Sequence, residues 1–235
     1  MKSLTCQRDC KSISQRVNKS MRVMLLLLVM LCQQPIANSQ EVNIGNFCVN
    51  AYRSYTPADV AMINAGGIRS EINIGDVTFN DVLEVHPFGN EIVTATMTGQ
   101  QLMDALEFSV SMLPEMSSDF LQVSGMKFEV DASIPSPVVF DVDNDLYSHV
   151  GDGKRRVSDL QILDDETGEY IPVDLSRNYT IASIDYLVIE LGSSEILRAA
   201  EPQDVYWTND LEALIYYIDR LGGKIDSRYE NVEGR

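Results

Sequence analysis

Two short loops hold the residue types best suited to binding chemistry. Asn64-Ala65-Gly66-Gly67-Ile68-Arg69 follows the apolar run Val60-Ala61-Met62-Ile63. Adjacent glycines let backbone amides come close to a ligand. A guanidinium at the loop's exit can hold a phosphate or sugar oxygen through two parallel hydrogen bonds. A Gly-Gly turn followed by Arg is also an ordinary structural feature, because tight turns need the same residues. The second loop, His86-Pro87-Phe88-Gly89-Asn90, sets an aromatic ring between a proline and a glycine, where a helix or strand core role has little room. That placement predicts a partly exposed Phe88. Such a ring can stack on a nucleobase while the Asn90 amide reads its edge, a contact worth roughly 1–3 kcal/mol per base. A core plug at Phe88 with a turn role for Asn90 fits the local residues as well.

Metal chemistry is poorly supplied. The two histidines, His86 and His149, do not build the paired ligand sets of a metal hydrolase and read as hydrogen-bonded or surface residues. Asp141-x-Asp143-x-Asp145, with Asp152 at the twelfth position, has the outline of a calcium loop. It carries Leu146 where such loops need Gly and lacks the bidentate Glu, so a solvated acidic loop is expected. No catalytic residue, metal ligand or cofactor is assigned to this chain.

The elements that must position these loops can be read from periodicity. Ile44, Phe47, Cys48, Ala51 and Tyr52 recur at helical spacing from Asn43 to Tyr55, with Asn43 as the cap. Val60 to Ile63 reads as a buried strand, Thr78 to Val85 as a short helix opened by Thr-x-x-Asp, and Glu91 to Thr98 as an alternating strand. Gly99 to Met112 returns to helical period, ended by Pro114. Strand-like runs follow at Met126–Val130, Pro137–Val142, Val157–Leu163 and Tyr179–Ile184. A last helix, Asp210 to Leu221, is capped by Asn209 and stopped by Gly222-Gly223, with Leu211, Leu214, Ile215 and Ile218 facing inward. Helices and strands interleave without a regular βαβ repeat, so the expected class is α+β, with mixed sheets flanked by helices.

Residues 1–39 read as a signal peptide. A basic stretch ends at Arg22, the apolar block Val23–Cys32 follows, and Ala37-Asn38-Ser39 precedes the expected cleavage. The block is about 10 residues, half of what a membrane span needs, so no stable membrane span is expected. Residues 40–235 then form one domain in a secreted, periplasmic or cell-envelope setting. They carry 12 basic against 34 acidic residues. That balance excludes nucleic acid as a partner, because phosphate backbones require a basic surface. Cys48 is the one cysteine beyond the leader, which rules out an internal disulfide there, and its apolar neighbours predict a buried thiol.

Six motifs in order carry a resemblance: Asn43-Ile44-Gly45-Asn46, Asn64 to Arg69, Gly75-Asp76-Val77-Thr78, Pro87-Phe88-Gly89-Asn90, Thr98-Gly99-x-x-Leu102 and Phe120-Leu121-Gln122-Val123-Ser124-Gly125. Over about residues 41–190 the chain resembles the C-terminal domain of the 5'-nucleotidase and UDP-sugar hydrolase family, and Glu233-Gly234-Arg235 also fits. In that family an N-terminal metallophosphoesterase domain holds two divalent metals, and the C-terminal domain binds the nucleotide. The resemblance implies that Phe88 and Tyr186 sandwich the base. It also implies that Asn90 and Asn64 give the base polar contacts and that Arg69 reaches the ribose or phosphate; Gly66 and Gly67, whose backbone amides can approach a ligand, complete the expected substrate-binding set.

Three departures qualify it. Where the family carries a short Gly-rich loop ending in an Asp for the ribose hydroxyls, this chain reads Leu187 to Glu195, with Ser194 or Glu195 as the available substitutes. Where members often carry Arg near the first helix, it offers Gln40, Glu41 and Asn46. The metal-bearing half has no counterpart. The expected function is therefore an exported nucleotide- or nucleoside-binding domain, inactive alone and working with a separately encoded metallophosphoesterase that carries the divalent metals. The alternatives are a truncated 5'-nucleotidase, or a binding module turned to another exported ligand.

Overall fold

The structure, a computed structural model, describes residues 40–190, 194–229 and 234. The leader-like segment 1–39 lies outside them. In chain order the elements are α1 (Asn43–Tyr55), β1 (Val60–Asn64), α2 (Phe79–Val85), β2 (Glu91–Thr98), α3 (Gly99–Ser109), β3 (Leu121–Ser124), β4 (Met126–Val130), β5 (Val138–Asp141), β6 (Leu146–Val150), β7 (Val157–Leu163), β8 (Tyr170–Pro172), β9 (Asn178–Ile184), α4 (Asp185–Val188), α5 (Glu195–Arg198), β10 (Glu201–Asn209) and α6 (Asp210–Arg220). A 3-10 turn, Ala65–Gly67, follows β1.

The architecture is α+β. A five-stranded sheet runs β10-β2-β9-β1-β3, beside a three-stranded sheet β4-β7-β8 and the hairpin β5-β6. β1 pairs parallel with β9, and the other pairs are antiparallel. Every residue of β1 is buried, as expected where both faces of a sheet are covered. α1 packs on β1, β3 and β9 and against α6, while α3 packs on β2 and β7. Cys48 is fully buried on α1 and unpaired.

Several local expectations shift. α1 is capped by Val42, not Asn43; the Val42 amide donates to Gln122 Oε1 at 3.0 Å and the Asn43 side chain donates to the Tyr229 carbonyl at 2.8 Å. α3 stops at Ser109, three residues before Met112. The buried Arg156 guanidinium collects the carbonyls of Val110, Ser111 and Leu113 at 2.8, 3.1 and 2.8 Å and draws the chain off the helix axis. α6 buries Leu211, Ala213 and Leu214, whereas Ile215 is exposed and Ile218 half-buried. β3, β6, β8 and β10 add to the strands read from periodicity. β10 carries Pro202 without a clean alternation, which an edge strand tolerates because its outer amides need no partner.

Gly125 lies between β3 and β4, directly after Ser124, which pairs with Ala61 of β1. Its φ is +75°, and a Cβ there would stand 2.5 Å from the Asp59 carbonyl oxygen. Gly125→Ala is expected to cost at least about 1–2 kcal/mol from the left-handed backbone alone. The measurement is urea unfolding: a lower midpoint at unchanged slope supports this, and an unchanged midpoint rejects it.

Candidate functional site

Strand directions bring the two loops together. Because β1 is parallel to β9 and β2 antiparallel to it, the ends of β1 and β9 and the start of β2 share one end of the five-stranded sheet. Asn64, Gly66, Gly67 and Arg69 leave β1 there, Phe88 and Asn90 lead into β2, and Tyr186 follows β9. The segments are tied across strands. The Glu91 amide donates to Asp185 Oδ1 at 3.2 Å, the Arg69 amide donates to the Val85 carbonyl at 3.0 Å, and the Arg69 guanidinium carbon lies 5.8 Å from the Phe88 ring centre. All seven residues predicted from sequence thus gather at one sheet end.

Phe88 is 53% exposed and Tyr186 40% exposed, so both rings stand at the surface and the core-plug reading of Phe88 falls. Arg69 Nη1 donates to the Gly66 carbonyl at 3.3 Å. The glycine turn is built for packing. The Gly66 amide donates to the Ser118 carbonyl at 2.8 Å, and a Cβ on Gly66 would lie 2.9 Å from Asn64 Nδ2 and 3.1 Å from Ser118 Cβ. Asn64 is buried, its Nδ2 donating to that same Ser118 carbonyl at 3.2 Å.

Beneath the loops lies a buried polar set that sequence patterns did not flag. His86 is fully buried; Nδ1 lies 2.9 Å from the Gly67 carbonyl and Nε2 lies 3.0 Å from the Tyr52 hydroxyl. A carbonyl can only accept, so Nδ1 carries the proton and Nε2 accepts from Tyr52. Burial holds the imidazole below its ordinary pKa, against an opposing pull from Asp210. Asp210, fully buried at the start of α6, accepts from the Asn90 backbone and side-chain nitrogens through Oδ2 at 3.2 and 3.0 Å, while its own amide donates to the Asn90 carbonyl at 2.8 Å. Burial raises its carboxyl above the usual range, with His86 and the Asn90 bonds opposing. A histidine directly before Pro87-Phe88 was the one available hint.

Residues 29–197 match the family described as 5'-nucleotidase, C-terminal domain. The chain belongs to that family. It is 27% identical over 208 residues to the trifunctional nucleotide phosphoesterase protein YfkN of Bacillus subtilis, covering 86% of this chain and 13% of that protein. It is 32% identical over 146 residues to protein UshA of Escherichia coli, covering 62% of this chain and 21% of UshA. Among solved structures, the 5'-nucleotidase precursor from Thermus thermophilus superposes with a TM-score of 0.64 at 25% identity, over 91% of this chain and 41% of that one. The chain therefore spans less than half the length of these relatives.

Within this 5'-nucleotidase C-terminal domain the departures take definite form. Leu187 and Val188 pack into the core. Ser194 is fully buried and its hydroxyl caps α5 through the Ile196 amide at 3.0 Å, which removes it as a substitute for the ribose-binding Asp. Glu195 pairs with Arg198. Residues 191–193 lie outside the described ones. Glu41 accepts from Asn46 Nδ2 at 2.6 Å and from the Gly234 amide at 2.8 Å. The Asp141 carboxylate is occupied by the amides of Asp143 and Asn144 and the Asn144 side chain, as a turn. Among the described residues no group of three or more His, Cys, Asp or Glu is placed to hold a metal ion, and no helix is long and apolar enough to cross a membrane. A cleft of about 1140 Å³ between α1, residues 71–79 and α6 is lined by none of the seven site residues.

Proposed function

We propose that this chain binds a nucleoside or nucleotide at the loop-bearing end of the five-stranded sheet, as the nucleotide-binding part of a 5'-nucleotidase-type phosphohydrolase. The base stacks between Phe88 and Tyr186, Asn90 and Asn64 face its polar edge, and Arg69 reaches the ribose or phosphate. The reading rests chiefly on the convergence of two surface aromatic rings with Arg69, from three segments far apart in sequence, at one sheet end. Hydrolysis of a phosphate ester by this route needs divalent ions that acidify a water and neutralise the leaving oxygen. A metallophosphoesterase beyond the described residues supplies them. The leader-like segment 1–39 supports work in a secreted, periplasmic or cell-envelope setting.

Calorimetric titration of the purified chain with adenosine, AMP and a UDP-sugar tests this. Micromolar binding of at least one is expected, and unchanged affinity in EDTA is expected because no metal takes part in the contacts. Failure of every nucleoside, nucleotide and UDP-sugar to bind would overturn the reading. Phosphate release from AMP is expected only when the metal-bearing partner is added.

A further inference from the structure

Apart from the Arg69 guanidinium, which the reading above assigns to the ribose or phosphate, the side chains of Asn90 and Asp185 at this end of the sheet offer acceptors. Asn90 Nδ2 donates to Asp210 Oδ2, an oxygen that also accepts the Asn90 backbone N–H and so acts as an acceptor. The amide is therefore fixed with its nitrogen toward the protein, and Oδ1 is its open end. Asn64 repeats the arrangement: Nδ2 donates to the Ser118 carbonyl at 3.2 Å, and Oδ1 is buried without a hydrogen-bond partner. Asp185, between them at the end of β9, accepts the amides of Glu91 and Tyr186 at 3.2 and 2.8 Å through Oδ1 alone. No described residue donates to its Oδ2. Two neighbouring strand ends thus offer acceptors, Asn90 Oδ1 and Asp185 Oδ2, while the side-chain nitrogens of Asn90 and Asn64 already donate to the protein and Asn64 Oδ1 is buried.

An all-acceptor edge discriminates among bases by elementary complementarity. Adenine and cytosine each offer one amine next to a ring nitrogen that itself accepts, which places two acceptors face to face. Uracil offers one ring N–H flanked by two carbonyls, and hypoxanthine one ring N–H between a carbonyl and a C–H. Guanine carries a ring N–H beside an exocyclic amine, two adjacent donors on one edge. Resting on the nucleotide reading above, we infer that this site selects guanine nucleosides and nucleotides, with Asn90 Oδ1 and Asp185 Oδ2 accepting the adjacent N–H groups of the base. Asp185 is then a specificity-determining residue. A carboxylate acceptor suits this role because hydrogen bonds to an ionised partner are roughly twice as strong as neutral ones.

The test is a nucleoside series on the full chain, followed by fluorescence or calorimetry, without phosphate so that Arg69 does not dominate. Guanosine is expected to bind at least about 10-fold tighter than inosine, which lacks the amine, and than adenosine, which lacks the ring N–H; a tenfold ratio is about 1.4 kcal/mol. The ribose hydroxyls are also donors, so 2',3'-dideoxyguanosine separates the two sources. Affinity close to that of guanosine assigns the contacts to the base, and a loss as large as that of inosine overturns the assignment. Asp185→Asn keeps an oxygen for the two backbone amides but replaces the open acceptor by an NH2 group. It is expected to lower guanosine affinity about 10-fold and inosine affinity far less. Equal affinities for guanosine, inosine and adenosine would sink the guanine preference while leaving the nucleotide reading in place. Binding of none would remove both. The wild-type series decides the question even if the variant folds poorly.

Discussion

Replacing Phe88 by alanine is expected to weaken nucleoside binding by about 5- to 150-fold, the equivalent of the roughly 1–3 kcal/mol that a stacked ring contributes per base. Stability should change little. A buried phenylalanine costs about 3–5 kcal/mol on truncation because a cavity remains, but Phe88 is 53% exposed and its removal opens the surface instead. Pro87 and Gly89, the latter at φ +69°, hold the ring out whatever its packing, so Phe88→Tyr should bind nearly as wild type. Tyr186→Ala, at 40% exposure, is expected to act alike. Melting temperature and nucleoside affinity measured on the same variants separate the two roles. A large fall in melting temperature with unchanged affinity in the folded fraction would remove Phe88 from the site.

That expectation was legible from the chain itself, because the signal is local: a ring between proline and glycine cannot join a helix or strand core. The strands Glu91–Thr98, Met126–Val130 and Val157–Leu163 were legible for the same reason, since alternation needs no distant partner. β10 was not, because Pro202 and two register shifts against β2 break its pattern, and its strand state comes from pairing at the sheet edge. The site divides likewise. Asn64, Gly66, Gly67, Arg69, Phe88 and Asn90 lie in two short loops whose composition marks them as binding candidates. Asp210 meets Asn90 across 120 residues, Asp185 meets Glu91 across 94, and Tyr52 meets His86 across 34. No local spacing encodes those contacts, which exist only once β1, β2 and β9 lie side by side. The Asp210 contact decides which end of the Asn90 amide is turned toward the protein, and so the chemistry of the candidate site.

His86 yields the largest expected effect on the fold. Replacing it by leucine removes the donor to the Gly67 carbonyl and the acceptor for the Tyr52 hydroxyl, both inside a fully buried cluster. Each orphaned group costs about 1–3 kcal/mol, so His86→Leu should lose about 2–6 kcal/mol. Since Gly67 belongs to the proposed binding loop, nucleoside affinity in the remaining folded fraction is expected to fall as well. The loss should also depend on pH. Burial depresses the His86 pKa in the folded state, so the unfolded chain binds the proton more readily. Its contribution is complete above the ordinary imidazole value, about 6.5, and is lost as pH falls toward the folded value. Asp210 acts in the opposite sense: its raised pKa contributes stability below the unfolded carboxyl value that is lost as pH rises. His86 opposes that rise, so His86→Leu leaves the carboxyl raised further and the variant loses more stability as pH rises, which changes the gap in the same direction as the His86 titration. The stability gap between wild type and His86→Leu should therefore narrow between about pH 7 and pH 5. Urea unfolding of both proteins across that window measures it. A gap that stays constant would mean that His86 is not held neutral by its burial, and a gap near zero at pH 7 would mean that the Tyr52–His86–Gly67 bridge does not set the loop.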